Sequence, residues 1–129
     1  MPGGLARLKK RADFLRVAAA RRAVARPGVV LQAAHQPIGM AGAAIRVGFT
    51  ASRKVGDAVV RNRAKRRLRA AADAVLPRVG RTGTDYVLIA RAGTSDRRFA
   101  DLVGDIEAAL HRIARDTPLR RGGEIRNGG

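Results

Sequence analysis

The 129-residue chain contains no cysteine, and its only histidines are His35 and His111, which lie far apart in sequence. Without cysteine the chain can form neither a disulfide framework nor a thiol nucleophile. Two separated histidines are also too few for a Cys/His zinc site. These absences exclude zinc fingers, thiol enzymes and thiol redox sensors.

Long apolar runs and aromatic residues are scarce as well. No stretch of about 18 apolar residues is present, and the start "MPGGLARLKKRADFL" lacks the apolar centre of a secretory signal, so we expect a cytoplasmic protein. With three Phe, one Tyr and no Trp, the chain has few of the side chains that anchor a basic helix in a membrane surface.

Acidic residues are few relative to basic ones. Ten Asp and Glu face 27 Lys and Arg, which gives a net charge of +17. Such an excess favours binding to the phosphates of a nucleic acid and says little about fold. We therefore expect a polyanionic partner.

The ends and the middle of the chain differ in composition. Residues 1–8 and 117–129 are rich in Gly, Pro and Arg, so we predict disordered ends around one domain at residues 9–116. Within the domain, hydrophobic periodicity predicts the order helix, strand, strand, helix, strand, helix. This order favours an α+β fold, a small mixed sheet packed by helices. We expect Asp13, Asp57 and Ser95 to cap the three helices and Pro77 to end the second.

The second predicted helix carries most of the charge. Val60, Ala64, Leu68, Ala71 and Val75 fall within an arc of about 80°, which is typical of a packing stripe. The basic residues point away from it, and no acid occurs between Ala58 and Ala72. A helix built only for stability would interleave Glu with its cations, so we interpret the basic surface as phosphate-binding rather than merely solvated.

One polar residue in this helix is not explained by charge. Asn62 stands between two arginines, and its amide can donate to and accept from a base edge, a 2′-hydroxyl or a metal-bound water. An ordinary surface role remains the alternative.

The segment "RVGFTASRKVGDAVVRNRAKRRLR", Arg46 to Arg69, closely resembles the signature of the bacterial ribonuclease P protein subunit. "LKKRADFLRV" near the start resembles the first helix of that family, and "DYVLIARAG" resembles its last strand. The resemblance covers roughly Leu8 to Ile113. It implies an α/β sandwich of two layers, akin to the second domain of ribosomal protein S5, with a left-handed crossover between parallel strands.

The resemblance also implies a division of labour. In this family the RNA subunit holds the active site and removes the 5′ leader of precursor tRNA with Mg²⁺, while the protein binds that RNA and the leader and raises the affinity for substrate and magnesium. We therefore expect no catalytic residue and no metal site on the protein. The RNA-binding positions implied are Arg53, Lys54, Arg61, Asn62, Arg63, Lys65, Arg66, Arg67 and Arg69. The leader-cleft positions implied are Phe14, Gln32, Arg46, Thr50 and Arg91.

Two departures and three alternatives accompany this interpretation. Some relatives have aromatic residues where this chain has Ala18 and Gln32, so stacking on leader bases is expected to be reduced. A ribosomal protein would share the size and charge but would not affect precursor cleavage. A free-standing nuclease would need a carboxylate or histidine cluster, and a DNA-architectural protein would bind duplex DNA.

Overall fold

A computed structural model describes residues 5–37, 39 and 44–116 of the chain. These ranges contain five β-strands and three α-helices, which confirms the α+β class. The elements in chain order are β1 (Leu5–Arg7), α1 (Arg11–Ala19), β2 (Ala23–Arg26), β3 (Val29–His35), β4 (Ile45–Thr50), a first 3₁₀ turn (Arg53–Val55), α2 (Ala58–Val79), β5 (Thr84–Ala90), a second 3₁₀ turn (Thr94–Asp96) and α3 (Phe99–Asp116).

The strands form one mixed sheet in the order β1-β4-β5-β3-β2. β4 pairs in parallel with both β1 and β5, whereas β3 runs antiparallel to β5 and β2. Because β4 and β5 are parallel neighbours, α2 has to cross over the sheet to connect them. The left-handedness of this crossover and the likeness to ribosomal protein S5 stay predictions.

Helices cover both faces of the sheet, which corrects the expectation of two layers. Alternate residues of a strand face opposite sides. The residues on one side of the sheet, among them Leu31, Val47 and Leu88, form the main core with α2 and α3. On the other side α1 packs Val17 and Phe14 against a smaller cluster around Val87. The smaller face is therefore only partly covered, by one short helix.

The N-terminal prediction is wrong for residues 5–8. β1 pairs with β4 along the edge of the sheet, with Ala6 opposite Arg46, and Leu8 is buried in the smaller core. A three-residue strand has too little periodicity to be recognised, and its stability comes from hydrogen bonds to a partner about 40 residues away in the sequence. Residues 1–4 and 117–129, also predicted to be disordered, lie outside the described residues.

The second helix follows the prediction at its start and departs from it at its end. The carboxylate of Asp57 accepts a hydrogen bond from the backbone N–H of Val60 at 3.0 Å, which confirms the N-cap. Ala64, Leu68, Ala71 and Val75 are fully buried, and Val60 is half-buried. The helix continues past Pro77 to Val79. In the last turn a proline removes only one backbone hydrogen bond, so packing of the helix can offset its cost.

The other two caps are wrong. α1 begins at Arg11, and Asp13 lies in its first turn, where it forms ion pairs instead of capping. Ser95 is buried in the second 3₁₀ turn, and α3 begins only at Phe99. Phe99, the first residue of α3, is 44% exposed. β2 was not predicted, because its four residues "AVAR" carry little strand propensity and depend on pairing with β3.

Candidate nucleic-acid interface

The basic residues of α2 divide between two edges of the helix. Arg63 and Arg67 contact the second 3₁₀ turn on one side. Other polar residues of α2 line an open groove on the opposite side, toward β1. The single outward surface expected from the sequence is thus two surfaces joined along the helix.

Arg63 and Arg67 are oriented by main-chain carbonyls. The Nε of Arg63 donates to the carbonyl of Ser95 at 3.0 Å, and Nη1 of Arg67 donates to the carbonyls of Thr94 and Ser95 at 3.2 and 3.1 Å. Thr94 is itself fixed, because its buried hydroxyl donates to the carbonyl of Gly28 at 2.7 Å. These contacts hold the guanidinium groups without neutralising their charge, which leaves both available to phosphate.

The groove on the other edge, here called the edge groove, has a volume of about 290 Å³. The guanidinium carbon of Arg7 lies 5.3 Å from the centre of the Phe49 ring, a cation–π contact. Sequence reasoning named neither residue as part of a binding site: Arg7 falls in the segment predicted to be disordered, and Phe49 also packs against the main core. Only the pairing of β1 with β4 brings them together. The groove is lined by Arg7, Phe49, Asn62, Lys65, Arg66 and Arg69.

The loop before α2 adds two exposed cations near the N-terminal end of this helix. Arg53 and Lys54 occupy the first 3₁₀ turn, where the hydroxyl of Ser52 accepts from the backbone N–H of Lys54 at 3.3 Å. Gly56 follows with φ of 150°, and a Cβ there would lie 2.9 Å from Val60. Glycine thus permits the chain to turn sharply from the basic loop into the helix. Arg61, half-buried, donates through Nε to the carbonyl of Asp57 at 3.4 Å.

The leader-cleft positions lie on the other face of the sheet, beside α1. Gln32 and Gly48 both pair with Val87 and so share one row across the sheet, and Thr50 follows in the next row. The ring of Phe14 rests on Gly48, where a Cβ would lie 2.5 Å from the ring. Phe14, Gln32 and Thr50 are half-buried, so each stays partly accessible on the face that α1 covers only in part, and this surface is the proposed leader cleft.

Arg91 lies at the end of β5, near this cleft. It is exposed, and Nη1 donates to the carbonyl of Arg26 at 2.8 Å. The carbonyl directs the side chain along the hairpin between β2 and β3. Its charge stays available for an anion that passes this end of the sheet.

Arg46 is the one cleft position that carboxylates already engage. It donates to both oxygens of Asp85, at 2.7 and 2.6 Å, and Asp85 is fully buried. Arg16 of α1 binds the same carboxylate and also donates to the carbonyl of His35 at 2.9 Å. The hydrogen bonds from Arg46 to Asp85 raise the pKa of Arg46. This network, completed by Asp13, ties α1 to β3, β4 and β5.

Two further acids, Asp57 and Asp105, serve structural roles. Asp57 caps α2, and the buried Asp105 accepts from the backbone N–H of Gly28 at 2.8 Å and from Nε of Arg97 at 2.5 Å. In the described part of the chain, no group of three or more His, Cys, Asp or Glu could hold a metal ion. Among the described helices, none combines the length and apolar character that a membrane span requires.

Comparison with known proteins identifies relatives along nearly the whole chain. The family model described as "Ribonuclease P" matches residues 4–114. The ribonuclease P protein component of Paramagnetospirillum magneticum is 52% identical over 114 residues, which cover 88% of this chain and 86% of that protein. The component from Ruegeria pomeroyi is 51% identical over 116 residues, or 89% of this chain and 91% of that protein.

Solved structures agree with the sequence matches. The RNase P protein of Staphylococcus aureus superimposes with a TM-score of 0.68 at 27% identity, over 84% of this chain and 94% of that one. The RNase P protein from Thermotoga maritima gives a TM-score of 0.68 at 26% identity, over 82% of this chain and 96% of that one. The fold and the sequence thus point to the same family.

Proposed function

Because the chain belongs to the ribonuclease P protein family, whose holoenzyme matures the 5′ end of tRNA, we propose that it binds the ribonuclease P RNA through α2 and the preceding loop and binds the 5′ leader of precursor tRNA in the cleft beside α1. The RNA then carries out the cleavage. The protein raises the affinity of the complex for substrate and magnesium. We also propose that the protein works in the cytoplasm.

The basic surface of α2 is the observation that carries the RNA-binding proposal. No acid occurs between Ala58 and Ala72, and carbonyls rather than carboxylates orient Arg63 and Arg67. No acid within this stretch of α2 therefore cancels the positive charge of its basic surface. A row of fixed guanidinium groups suits successive phosphates, which arginine binds in a two-point fashion.

The cleft beside α1 suits a single strand rather than a duplex. Its accessible surface combines the half-buried apolar side chain of Ile89 with the polar groups of Gln32 and Thr50. An unstacked base can lie on such a surface and form hydrogen bonds at its edge. Ala18 is exposed one helical turn after Phe14, so the aromatic surface here is limited to one ring.

Magnesium, in this proposal, is bound by the RNA and the substrate. The described acids form no cluster that could hold a metal ion, and the buried Asp85 and Asp105 are engaged by arginines. What this chain contributes is positive charge that reduces repulsion between the two RNAs, so that fewer cations have to be taken up from solution. No step of the hydrolysis is assigned to a protein side chain.

The leader assignment predicts an effect that depends on leader length. In the holoenzyme, Gln32→Ala should weaken binding of a precursor tRNA with a five-nucleotide leader by about threefold to tenfold, the value of one or two hydrogen bonds. Binding of the same tRNA with a one-nucleotide leader should not change. The measurement is the equilibrium affinity for both substrates in calcium, which slows cleavage.

His111→Ala on the exposed surface of α3 serves as the control and should leave both affinities unchanged. An equal loss of affinity for the long-leader and the short-leader substrates would show that Gln32 acts on binding without contacting the leader. Unchanged binding of the long leader by Gln32→Ala would contradict the cleft assignment directly.

A further inference from the structure

The edge groove brings together three kinds of group, two of which a phosphate site alone does not need. Arg7 and Phe49 form a cation–π pair on the sheet side, and Asn62 presents an amide from α2. The remaining lining residues are the cations Lys65, Arg66 and Arg69. A flat side chain, an amide and a set of cations match the face of a base, the edge of that base and the phosphates of a nucleotide.

Arg7 presents a flat surface that is already held in place. Its guanidinium carbon lies 5.3 Å from the centre of the half-buried Phe49 ring, while the residue itself is exposed on the edge strand β1. Guanidinium planes stack on bases as aromatic rings do. Because Phe49 restricts the side chain in advance, less conformational entropy is lost when a base binds the free face.

The dimensions of the groove favour one unpaired nucleotide. At about 290 Å³ it is close to the lower end of the roughly 300–1,000 Å³ that small-molecule sites occupy. A base within a duplex is stacked on both sides and cannot offer a face to Arg7. An unpaired base can leave its strand and enter the groove while the strand continues along α2.

We propose that the edge groove binds one unpaired nucleotide of the ribonuclease P RNA. Its base stacks on Arg7, the amide of Asn62 binds the base edge, and Lys65, Arg66 and Arg69 hold the adjoining phosphates. Phe49 is a positioning residue that acts through Arg7. This inference rests on the proposed function and adds to it a site selective for an unpaired nucleotide.

The test compares Arg7→Lys with the wild-type full-length protein in binding to a bacterial ribonuclease P RNA. Lysine keeps the charge and removes the stacking plane, so affinity should fall about tenfold. The slope of affinity against salt concentration should stay at its wild-type value, because the number of phosphate contacts is unchanged. Chemical probing should show a base that the wild-type protein protects and Arg7→Lys leaves reactive.

Two further variants complete the test. With the Phe49→Leu protein, the same base should be reactive in chemical probing. With the Arg78→Lys protein, which is changed at the far end of α2, this base should be protected as fully as by the wild type. If Phe49→Leu does not fold, Arg7→Lys decides alone, because Arg7 is exposed. Wild-type affinity and protection with Arg7→Lys, or a loss that comes with a lower salt slope, would overturn the stacking site while the proposed function stands. A wild-type protein that does not bind the RNA would overturn both.

Discussion

Asp85→Asn should lower the free energy of unfolding by about 3 kcal/mol, because it removes the charge at the centre of a buried ion-pair network. The Asp85 carboxylate is fully buried and binds Arg46 through two hydrogen bonds and Arg16 through another. Asparagine fills the same volume and cannot balance either guanidinium. Urea denaturation followed by circular dichroism measures the change, which should appear in thermal unfolding as a decrease of roughly 10 °C.

Asp73→Asn is the matched control, since it makes the same change in net charge at an exposed position of α2. Its effect should stay within about 0.5 kcal/mol of the wild type. A double-mutant cycle with Arg46→Gln separates the pair from general destabilisation. Equal stability of Asp85→Asn and Asp73→Asn would show that the network does not hold α1 on the sheet.

Replacing Lys65, Arg66 and Arg69 together by glutamine should weaken binding of the ribonuclease P RNA about a hundredfold near physiological salt. Each lost phosphate contact removes about 0.7 to 0.9 from the logarithmic salt slope, so the slope should fall by about 2 to 3. All three side chains line the edge groove, and Arg66 and Arg69 are exposed, so the fold should be retained. Filter binding at several salt concentrations gives both quantities.

A second triple variant with the same loss of charge tests whether position matters. Arg78, Arg112 and Arg115 are exposed and lie toward the C-terminal ends of α2 and α3. Their replacement by glutamine should change the affinity only severalfold and leave the slope near the wild-type value. If both triple variants bind equally weakly, the RNA responds to net charge alone and α2 is not the interface.

The two proposed surfaces lie on opposite faces of the sheet. α2 and its loop present cations on one side, and the cleft beside α1 opens on the other. The network around Asp85 lies on the α1 face, because Arg46 of β4 and Arg16 of α1 both bind this carboxylate there. We expect loosening of this network to disturb the leader cleft more than the edge groove.

Hydrophobic periodicity and capping residues predicted the elements that depend on residues close together in the sequence. The packing stripe of α2 recurs at helical spacing, and its cap needs only Asp57 and the N–H three residues on. β5 was recognised because a buried strand has a continuous apolar run. The position of the basic surface on α2 followed from the same periodicity.

Features that depend on distant pairing could not be predicted in this way. Leu5–Arg7 is a strand only because the edge of β4 is free to receive it, and the Arg7–Phe49 contact follows from that pairing. Asp85 stands in an apolar run with nothing nearby to identify its partner. The parallel register that places Arg46 opposite Asp85 exists only in the folded sheet.

The choice between possible helix caps also required the tertiary structure. Asp13 has the residue type of a cap, yet it is within reach of Arg16 and Arg46, and ion pairing takes precedence. Ser95 is drawn into the second 3₁₀ turn, where its carbonyl accepts from Arg63 and Arg67. Residue type limits where a helix can begin, and the competing partners determine where it does begin.

Reconstitution tests the central claim most directly. The purified protein is mixed with a bacterial ribonuclease P RNA and a precursor tRNA at low magnesium, and release of the 5′ leader is followed over time. Efficient cleavage that requires both the protein and the RNA is the predicted result, with no cleavage by the protein alone. Cleavage by the RNA that is no faster when the protein is bound, or cleavage by the protein without RNA, would contradict the account.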